Sequence, residues 1–184
     1  MKNKKIIENF LNGKISLKNF DKKCANLARN HQNSLTKPKG SLGKLEEYAI
    51  WMAGWQGKIY PSMNKVDCLV FAANHGVAKK GVSAYPAEVT AQMVENFGKG
   101  GAAINQLCDL ANIFLSVIPI DLENPTKDFS EEMAMSEPEA ISAMQLGFNS
   151  VRKDCDLLIL GEMGISNTTT ATALSCALFD QSIE

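Results

Sequence analysis

Residues 157–174 read LLILGEMGISNTTTATAL, an apolar run that meets two glycines and then a cluster of small hydroxyl side chains. Residues 157–160 form an unbroken apolar run of the kind expected in a strand that is buried on both faces. The glycines permit a tight turn after this strand, and Asn167 or Thr168 is suited to cap a helix that follows. The segment therefore predicts a strand, a loop and a helix in direct succession.

The start of this predicted helix has the features of an anion-binding site. Unpaired backbone N–H groups and the positive end of the helix dipole favour a negative charge there. The polar side chains at the same place add hydrogen-bond donors, and they belong to Ser166, Asn167, Thr168 and Thr169. A phosphate group fits such a set of donors. The same residues also describe a well-capped helix without a ligand, and composition does not separate the two interpretations.

Composition excludes several classes of protein. The chain has 184 residues, of which 45% are hydrophobic and 21% charged, with a net charge of -1. A nucleic-acid binder would carry a basic excess, so we expect small molecules or other subunits as partners. No apolar run has the length of a membrane span, and the amino terminus lacks a signal peptide's apolar core, which predicts a cytoplasmic protein. The five cysteines are odd in number and form no C-x-x-C pair, which argues against a disulfide framework and a zinc site.

Residues 1–60 have a helical pattern. Apolar residues recur at helical spacing over residues 2–12 and again after Ser16. A turn-rich basic stretch around Lys37 then leads into a third helix, for which Ser41 is the predicted cap. Lys37 either reaches an anionic ligand or is one of several lysines on a solvated loop. We expect these residues to form a small N-terminal helical layer.

Residues 61–184 alternate strands with helices. Residues 66–73 and 113–120 are predicted strands, and helical sequence follows each of them. A capping box at Ser136, with a proline in the first turn, starts the helix before the third strand. This order predicts an α/β fold, a three-layer parallel sheet with helices on both faces.

One histidine lies where ligands collect in such a fold. His75 follows the first strand, and in open α/β sheets ligands bind beyond the carboxyl ends of the strands. Structural and catalytic roles both suit a histidine in this position. The chain contains neither G-x-x-x-x-G-K-[ST] nor G-x-G-x-x-G, so neither ATP nor a nicotinamide dinucleotide is indicated.

Five stretches, in this order along the chain, resemble the nicotinate-nucleotide:dimethylbenzimidazole phosphoribosyltransferases of cobalamin nucleotide-loop assembly. They are TKPKGSLG (36–43), ANHGV (73–77), GVSAYPAEVT (81–90), QMV with GGAAIN (92–94 and 100–105), and GEMGI with NTT (161–165 and 167–169). Together they cover most of residues 35–174, and five in order are far more specific than any one. Two positions depart from the family pattern: Ser166 stands where glycine is common, and Asn74 where many members carry aspartate.

The resemblance implies a reaction and a fold. The 5-phosphoribosyl group of nicotinate mononucleotide is transferred to 5,6-dimethylbenzimidazole, which releases nicotinate and gives α-ribazole 5'-phosphate. The fold it implies is Rossmann-like, with residues 61–184 as the first part of a nucleotide-binding domain. It also implies a homodimer, and neither a metal nor a cofactor is required. Such an enzyme aligns a ring nitrogen with C1 of the ribose, anchors the phosphate and removes one proton from the benzimidazole.

The resemblance also assigns roles to residues. The candidates for phosphate and ribose binding are Gly164, Ser166, Asn167, Thr168 and Thr169. The candidates for the wall of the base pocket are Ser83, Tyr85, Gln92 and Met163. Glu162 either handles a proton, binds ribose or caps neighbouring amides, and His75 and Lys37 are further candidates.

The family's general base is a glutamate in a Gly-Glu-Gly-rich motif near the far carboxyl terminus, and these 184 residues contain no such motif. We therefore expect the chain to be an N-terminal portion of such an enzyme that does not turn over by itself. Two other hypotheses are a non-catalytic nucleotide-binding or subunit-interaction module, and an unrelated α/β protein whose threonine-rich loop only caps a helix.

Overall fold

The computed structural model of the protein describes residues 2–182. The chain divides between Lys65 and Val66 into two compact units. The first unit contains the helices α1 (Lys2–Leu11), α2 (Lys22–Ser34) and α3 (Lys44–Gln56). The second contains the strands β1 (Val66–Ala72), β2 (Phe114–Pro119) and β3 (Leu157–Met163), and the helices α4 (Glu88–Gly98), α5 (Ala103–Ala111), α6 (Glu137–Ser150) and α7 (Asn167–Phe179). A short 3-10 helix, Gly76–Lys80, follows β1.

In the first unit, α2 packs on α3 through small apolar residues. Ala25 and Ala28 of α2 are buried against Ala53 of α3. The prediction of a helix from Ser16 was wrong, because α2 begins only at Lys22. Asp21 is the cap, since its carboxylate accepts a hydrogen bond from the N–H of Cys24 at 2.9 Å.

The cap predicted for α3 is also different in the structure. Gly43, with φ +54°, precedes the helix, and no side chain caps it, so the prediction of Ser41 as the cap was wrong. Glu46 instead accepts a hydrogen bond from the N–H of Leu42 at 3.2 Å and pairs with Lys37 at 2.5 Å. The hydrogen bond from Lys37, followed by that from Leu42, lowers the pKa of Glu46 from its ordinary value. The amine of Lys37 is thus largely buried in an ion pair with α3.

The sheet of the second unit is parallel, with the strand order β2-β1-β3. Because β1 has a partner on each side, it is the most buried strand, as its apolar sequence predicts. Cys68 and Val70 of β1 form a core with Cys108 of α5. The predicted α/β class, with a parallel sheet flanked by helices, is confirmed.

The helix before the third strand also follows the prediction. Glu139 accepts hydrogen bonds from the backbone N–H of Ser136 at 2.7 Å and from its hydroxyl at 2.6 Å, so the capping box is present.

The third strand itself extends further than the apolar run, through Met163. Gly161 lies inside β3 and not in a turn, and a Cβ there would stand 3.1 Å from Cγ2 of Val70.

Within residues 2–182, no helix is long and apolar enough to cross a membrane.

Candidate functional site

The carboxyl ends of β1 and β3 lie side by side at the place where the strand order reverses. From β1 the chain passes to β2 on one side of it, and later returns to β3 on the other side. In open α/β sheets, the crevice beyond the strand ends at such a reversal is where ligands bind. The residues that follow β1 are 73–76, and those that follow β3 are 164–167. These two segments form the candidate site.

Gly164 allows the two segments to approach closely. The N–H of Ala73 donates to the carbonyl of Met163 at 3.1 Å, so the pairing of β1 with β3 continues beyond the end of β1. A Cβ on Gly164 would stand 2.3 Å from the carbonyl oxygen of Ala73 and 2.3 Å from Oδ1 of Asn167. Real side chains do not fit at such distances, so the contact between the segments requires glycine.

The side chain of His75 joins the two segments. Its Nε2 lies 2.6 Å from Oδ1 of Asn167, the first residue of α7. Because an amide oxygen only accepts hydrogen bonds, this contact requires the His75 tautomer that carries its proton on Nε2. Within residues 2–182 the two N–H donors of the Asn167 carboxamide have no hydrogen-bond partner. The predicted site residues His75 and Asn167 are therefore in direct contact.

Ser166 turns the chain into α7 in a left-handed conformation, with φ +73° and ψ 11°. It is buried, and its Oγ has no hydrogen-bond partner among the described residues. Ser166 holds the position before the helix, so the prediction of Asn167 or Thr168 as the cap was wrong. No side chain caps α7, and the carboxamide of Asn167 is used by His75. The left-handed φ explains why glycine suits this position.

Replacing Ser166 with glycine should raise the free energy of unfolding by about 1 kcal/mol. The glycine relieves the left-handed strain and removes a buried hydroxyl that has no partner, and these gains outweigh the greater freedom of the unfolded chain. Urea denaturation measures the difference. Ser166→Ala is the matched control, because it removes the hydroxyl and keeps the strained Cβ. A Ser166→Gly variant less stable than the wild type would contradict this account of the turn.

The start of α7 presents unpaired donors. The N–H of Asn167 donates to the carbonyl of Gly164 at 3.1 Å, and that of Thr170 to Ser166 at 3.1 Å. Within residues 2–182 the N–H groups of Thr168 and Thr169 between them have no such partner. Among the described residues the hydroxyls of Thr168 and Thr169 are also unpaired. They differ in this from Thr170, whose hydroxyl donates to the carbonyl of Ser166 at 3.3 Å.

Thr90 holds the backbone of the loop at Ile165 in place. Thr90 was not identified as a site residue from the sequence. Its side chain is fully buried on α4, and its Oγ1 accepts a hydrogen bond from the N–H of Ile165 at 3.1 Å. This bond satisfies a buried backbone donor next to Ser166. The available signal was a threonine on the inward face of an amphipathic helix, between Val89 and Met93.

Asn74 fixes the loop that follows β2. Its side-chain Nδ2 donates to the carbonyl of Leu122 at 3.1 Å. Its backbone carbonyl accepts a hydrogen bond from the N–H of Thr126 at 3.4 Å. A carboxylate has no donor for the carbonyl of Leu122, so an aspartate in this position could not make the first bond.

The remaining candidates have no described hydrogen bond to this loop. Glu162 is exposed within β3, opposite Phe71 in register, and so does not follow the strand as predicted. Met163 packs partly buried against the core of the sheet. Ser83 is half-buried, Gln92 is exposed on α4, and Tyr85 is 65% exposed. Lys37 belongs to the first unit, where Glu46 engages its amine.

Known proteins match nearly the whole chain. A family model described as "Phosphoribosyltransferase" matches residues 17–184. The nicotinate-nucleotide:dimethylbenzimidazole phosphoribosyltransferase of Mesorhizobium japonicum is 54% identical over 156 residues, which are 85% of this chain and 46% of that protein. The enzyme of the same name from Jannaschia sp. is 56% identical over 152 residues, 83% of this chain and 45% of that protein.

A solved structure agrees with these relatives. The crystal structure of the nicotinate-nucleotide-dimethylbenzimidazole phosphoribosyltransferase from Thermus thermophilus superposes with a TM-score of 0.79 at 37% sequence identity. The match covers 87% of this chain and 54% of that one. The chain thus spans about half the length of the curated relatives it matches.

Proposed function

The chain belongs to the family of the nicotinate-nucleotide:dimethylbenzimidazole phosphoribosyltransferases, and on that premise we propose that it serves phosphoribosyl transfer in cobalamin synthesis. The donor is nicotinate mononucleotide, the acceptor 5,6-dimethylbenzimidazole, and the products are α-ribazole 5'-phosphate and nicotinate. The observation that carries the proposal is the set of unpaired donors at the start of α7, at the reversal of the strand order.

The loop 164–169 binds the phosphate of the mononucleotide in this proposal. Two backbone N–H groups, two threonine hydroxyls and the carboxamide of Asn167 supply donors for the phosphate oxygens. Hydrogen bonds to a charged acceptor are stronger than those between neutral groups, and the dipole of α7 adds to the attraction. Gly164 keeps the loop close to β1 so that these donors converge.

The chemistry asks little of the protein beyond alignment. The nicotinate of the donor is attached as a pyridinium, which is a good leaving group, so positioning of the acceptor nitrogen in line with C1 of the ribose supplies much of the rate. Glu162 precedes the loop by two residues, where a carboxylate suits the ribose hydroxyls or proton handling. Ser83, Tyr85, Gln92 and Met163 are proposed to line the base pocket.

The general base of the transfer is a separate question. These 184 residues contain no glycine-flanked glutamate of the kind that the resemblance assigns to proton removal. We propose that the chain by itself binds the mononucleotide without releasing nicotinate. The second candidate, a nucleotide-binding or subunit-interaction module without catalysis, has the same support, and the proposed assembly is a homodimer in either case.

Replacing Thr168 and Thr169 together with valine should weaken nicotinate mononucleotide binding about tenfold, because two hydroxyl donors to a charged phosphate are lost. Dimethylbenzimidazole binding should not change. Calorimetry with each ligand measures both affinities. Neither the wild-type chain nor the variant should release nicotinate when both substrates are present.

Thr172→Val is the control for this variant. Its hydroxyl donates to the carbonyl of Thr168 at 2.8 Å within α7, so the substitution is the same but no donor at the loop is lost. Unchanged mononucleotide affinity in the double variant would contradict the proposal that the loop 164–169 binds the phosphate. An equal loss for both ligands would indicate misfolding, which a thermal melt shows independently.

A further inference from the structure

We infer that His75 is a positioning residue for the phosphate, whose imidazole holds the carboxamide of Asn167 with its N–H donors turned toward the ligand. The inference rests on the proposed function, because it concerns the same loop. His75 does not touch the phosphate in this arrangement. It acts through the 2.6 Å hydrogen bond from its Nε2 to Oδ1 of Asn167.

Because the carboxamide of Asn167 is planar, the position of its oxygen determines the position of its nitrogen. Oδ1 of Asn167 is directed at His75, and it also lies 2.3 Å from the place where a Cβ of Gly164 would stand. The oxygen is thus held against the loop and the β1 segment. The nitrogen lies on the other side of Cγ, away from both. A carboxamide without this bond can rotate by half a turn, which would present an oxygen to the phosphate in place of two donors.

The backbone around His75 is fixed independently of its side chain. His75 forms a parallel bridge with Thr126, and the carbonyl of the preceding residue, Asn74, accepts a hydrogen bond from the N–H of Thr126. Gly76 packs so closely that a Cβ would stand 2.5 Å from the carbonyl oxygen of Thr126 and 2.6 Å from the nitrogen of Asp128. The imidazole therefore projects from a rigid base. A change of this side chain alters the contact with Asn167 and leaves the surrounding backbone bonds in place.

Two substitutions of His75 distinguish the length of the side chain from the type of its hydrogen-bonding group. Glutamine can place an amide N–H donor at about the reach of Nε2, whereas asparagine has the same functional group and is one methylene shorter. His75→Gln can therefore donate to Oδ1 of Asn167, and His75→Asn cannot. The pair is matched in polarity and hydrogen-bonding groups.

The test is calorimetry of the whole chain with nicotinate mononucleotide. His75→Asn should weaken binding about tenfold, as expected for one lost set of donors to a charged group, while His75→Gln keeps affinity within about threefold of the wild type. In an Asn167→Ala background, His75→Asn should cause no further loss, because the residue through which it acts is gone. Dimethylbenzimidazole affinity should stay the same in His75→Gln and His75→Asn, and the melting temperature of His75→Asn should fall by only a few degrees, as for one lost hydrogen bond.

A second variant tests the orientation without changing His75. Asn167→Asp keeps an acceptor for His75 but puts a charged oxygen where the N–H donors were, so it should bind the mononucleotide more weakly than Asn167→Ala. This result is expected even if His75→Asn does not fold.

The inference is overturned if His75→Asn binds like the wild type, if both His75 variants lose affinity equally, or if the loss persists in the Asn167→Ala background. Asn167→Asp that binds as well as the wild type also overturns it. These outcomes leave the proposed function intact, because the wild-type chain still binds the mononucleotide. A wild-type chain that does not bind it overturns the proposed function and this inference together.

Discussion

The Gly164→Ala variant should bind nicotinate mononucleotide about ten- to a hundredfold more weakly than the wild-type chain, because the binding-competent loop then has to bear overpacking that costs about 1–3 kcal/mol. The added methyl meets the carbonyl oxygen of Ala73, which is backbone and held by the strand pairing, and Oδ1 of Asn167, each at 2.3 Å. Relief of the first contact separates the loop from β1. Relief of the second breaks the bond from His75 to Asn167. Both changes scatter the donors for the phosphate.

Gly147→Ala is the control for this variant. Gly147 lies in α6, and nothing stands within 4 Å of the position of its Cβ. The same substitution there should leave mononucleotide binding unchanged and raise the free energy of unfolding by about 0.5–1 kcal/mol, since alanine suits a helix better than glycine. If Gly164→Ala binds as tightly as Gly147→Ala, the close approach of the loop to β1 has no part in binding.

Replacing Arg152 with methionine should lower the free energy of unfolding by about 3 kcal/mol. Asp67 in the central strand is 1% exposed, and Arg152 donates to both of its carboxylate oxygens, through Nε at 2.7 Å and through Nη2. The guanidinium also stands over the ring of Phe114, 5.2 Å from its centroid. Removal of the cation leaves a buried carboxylate without its counter-charge, which is far more costly than the loss of a surface pair.

Lys99→Met provides the comparison, and urea denaturation measures both variants. Lys99 pairs with Glu95 at 2.5 Å, but both side chains are largely exposed, so the expected loss is below about 0.5 kcal/mol. In the Arg152→Met variant, further replacement of Asp67 with asparagine should recover part of the stability, because it removes the uncompensated charge. Similar losses for Arg152→Met and Lys99→Met would show that water screens the Asp67 carboxylate despite its burial.

The parts of the fold that follow from local pattern were predictable. The strand at residues 66–73 was identified from its apolar run, and the helix after Ser136 from its capping box; both are confirmed. The parallel sheet followed from the alternation of strands and helices. The strand order β2-β1-β3 did not, because alternation does not specify on which side of β1 each later strand pairs.

The starts of helices were less predictable, since several residues of suitable type compete for the cap. Asp21 and not Ser16 precedes α2, and Ser166 and not Asn167 precedes α7. In the second case the competing use of the side chain decides the outcome. The carboxamide of Asn167 bonds to His75, which is 92 residues away in the sequence. No local pattern contains such a contact.

In the candidate site, too, the residue types were predictable from the sequence and their contacts were not. The donors of the loop were visible as a cluster of small polar residues, and His75 as a polar residue after a strand. Their contact depends on β1 and β3 being neighbours, and the role of Thr90 depends on α4 packing beneath the loop. The glycine at position 164 was recognised as a turn former, but its purpose, the approach of the loop to Ala73, is a tertiary property.

A crystal structure of the chain with bound nicotinate mononucleotide tests the central claim most directly. The phosphate should lie at hydrogen-bond distance, about 3 Å, from the N–H groups of Thr168 and Thr169 and from Nδ2 of Asn167. The ribose should extend toward Glu162 from there. A mononucleotide bound elsewhere, with no phosphate oxygen near the start of α7, would contradict the account.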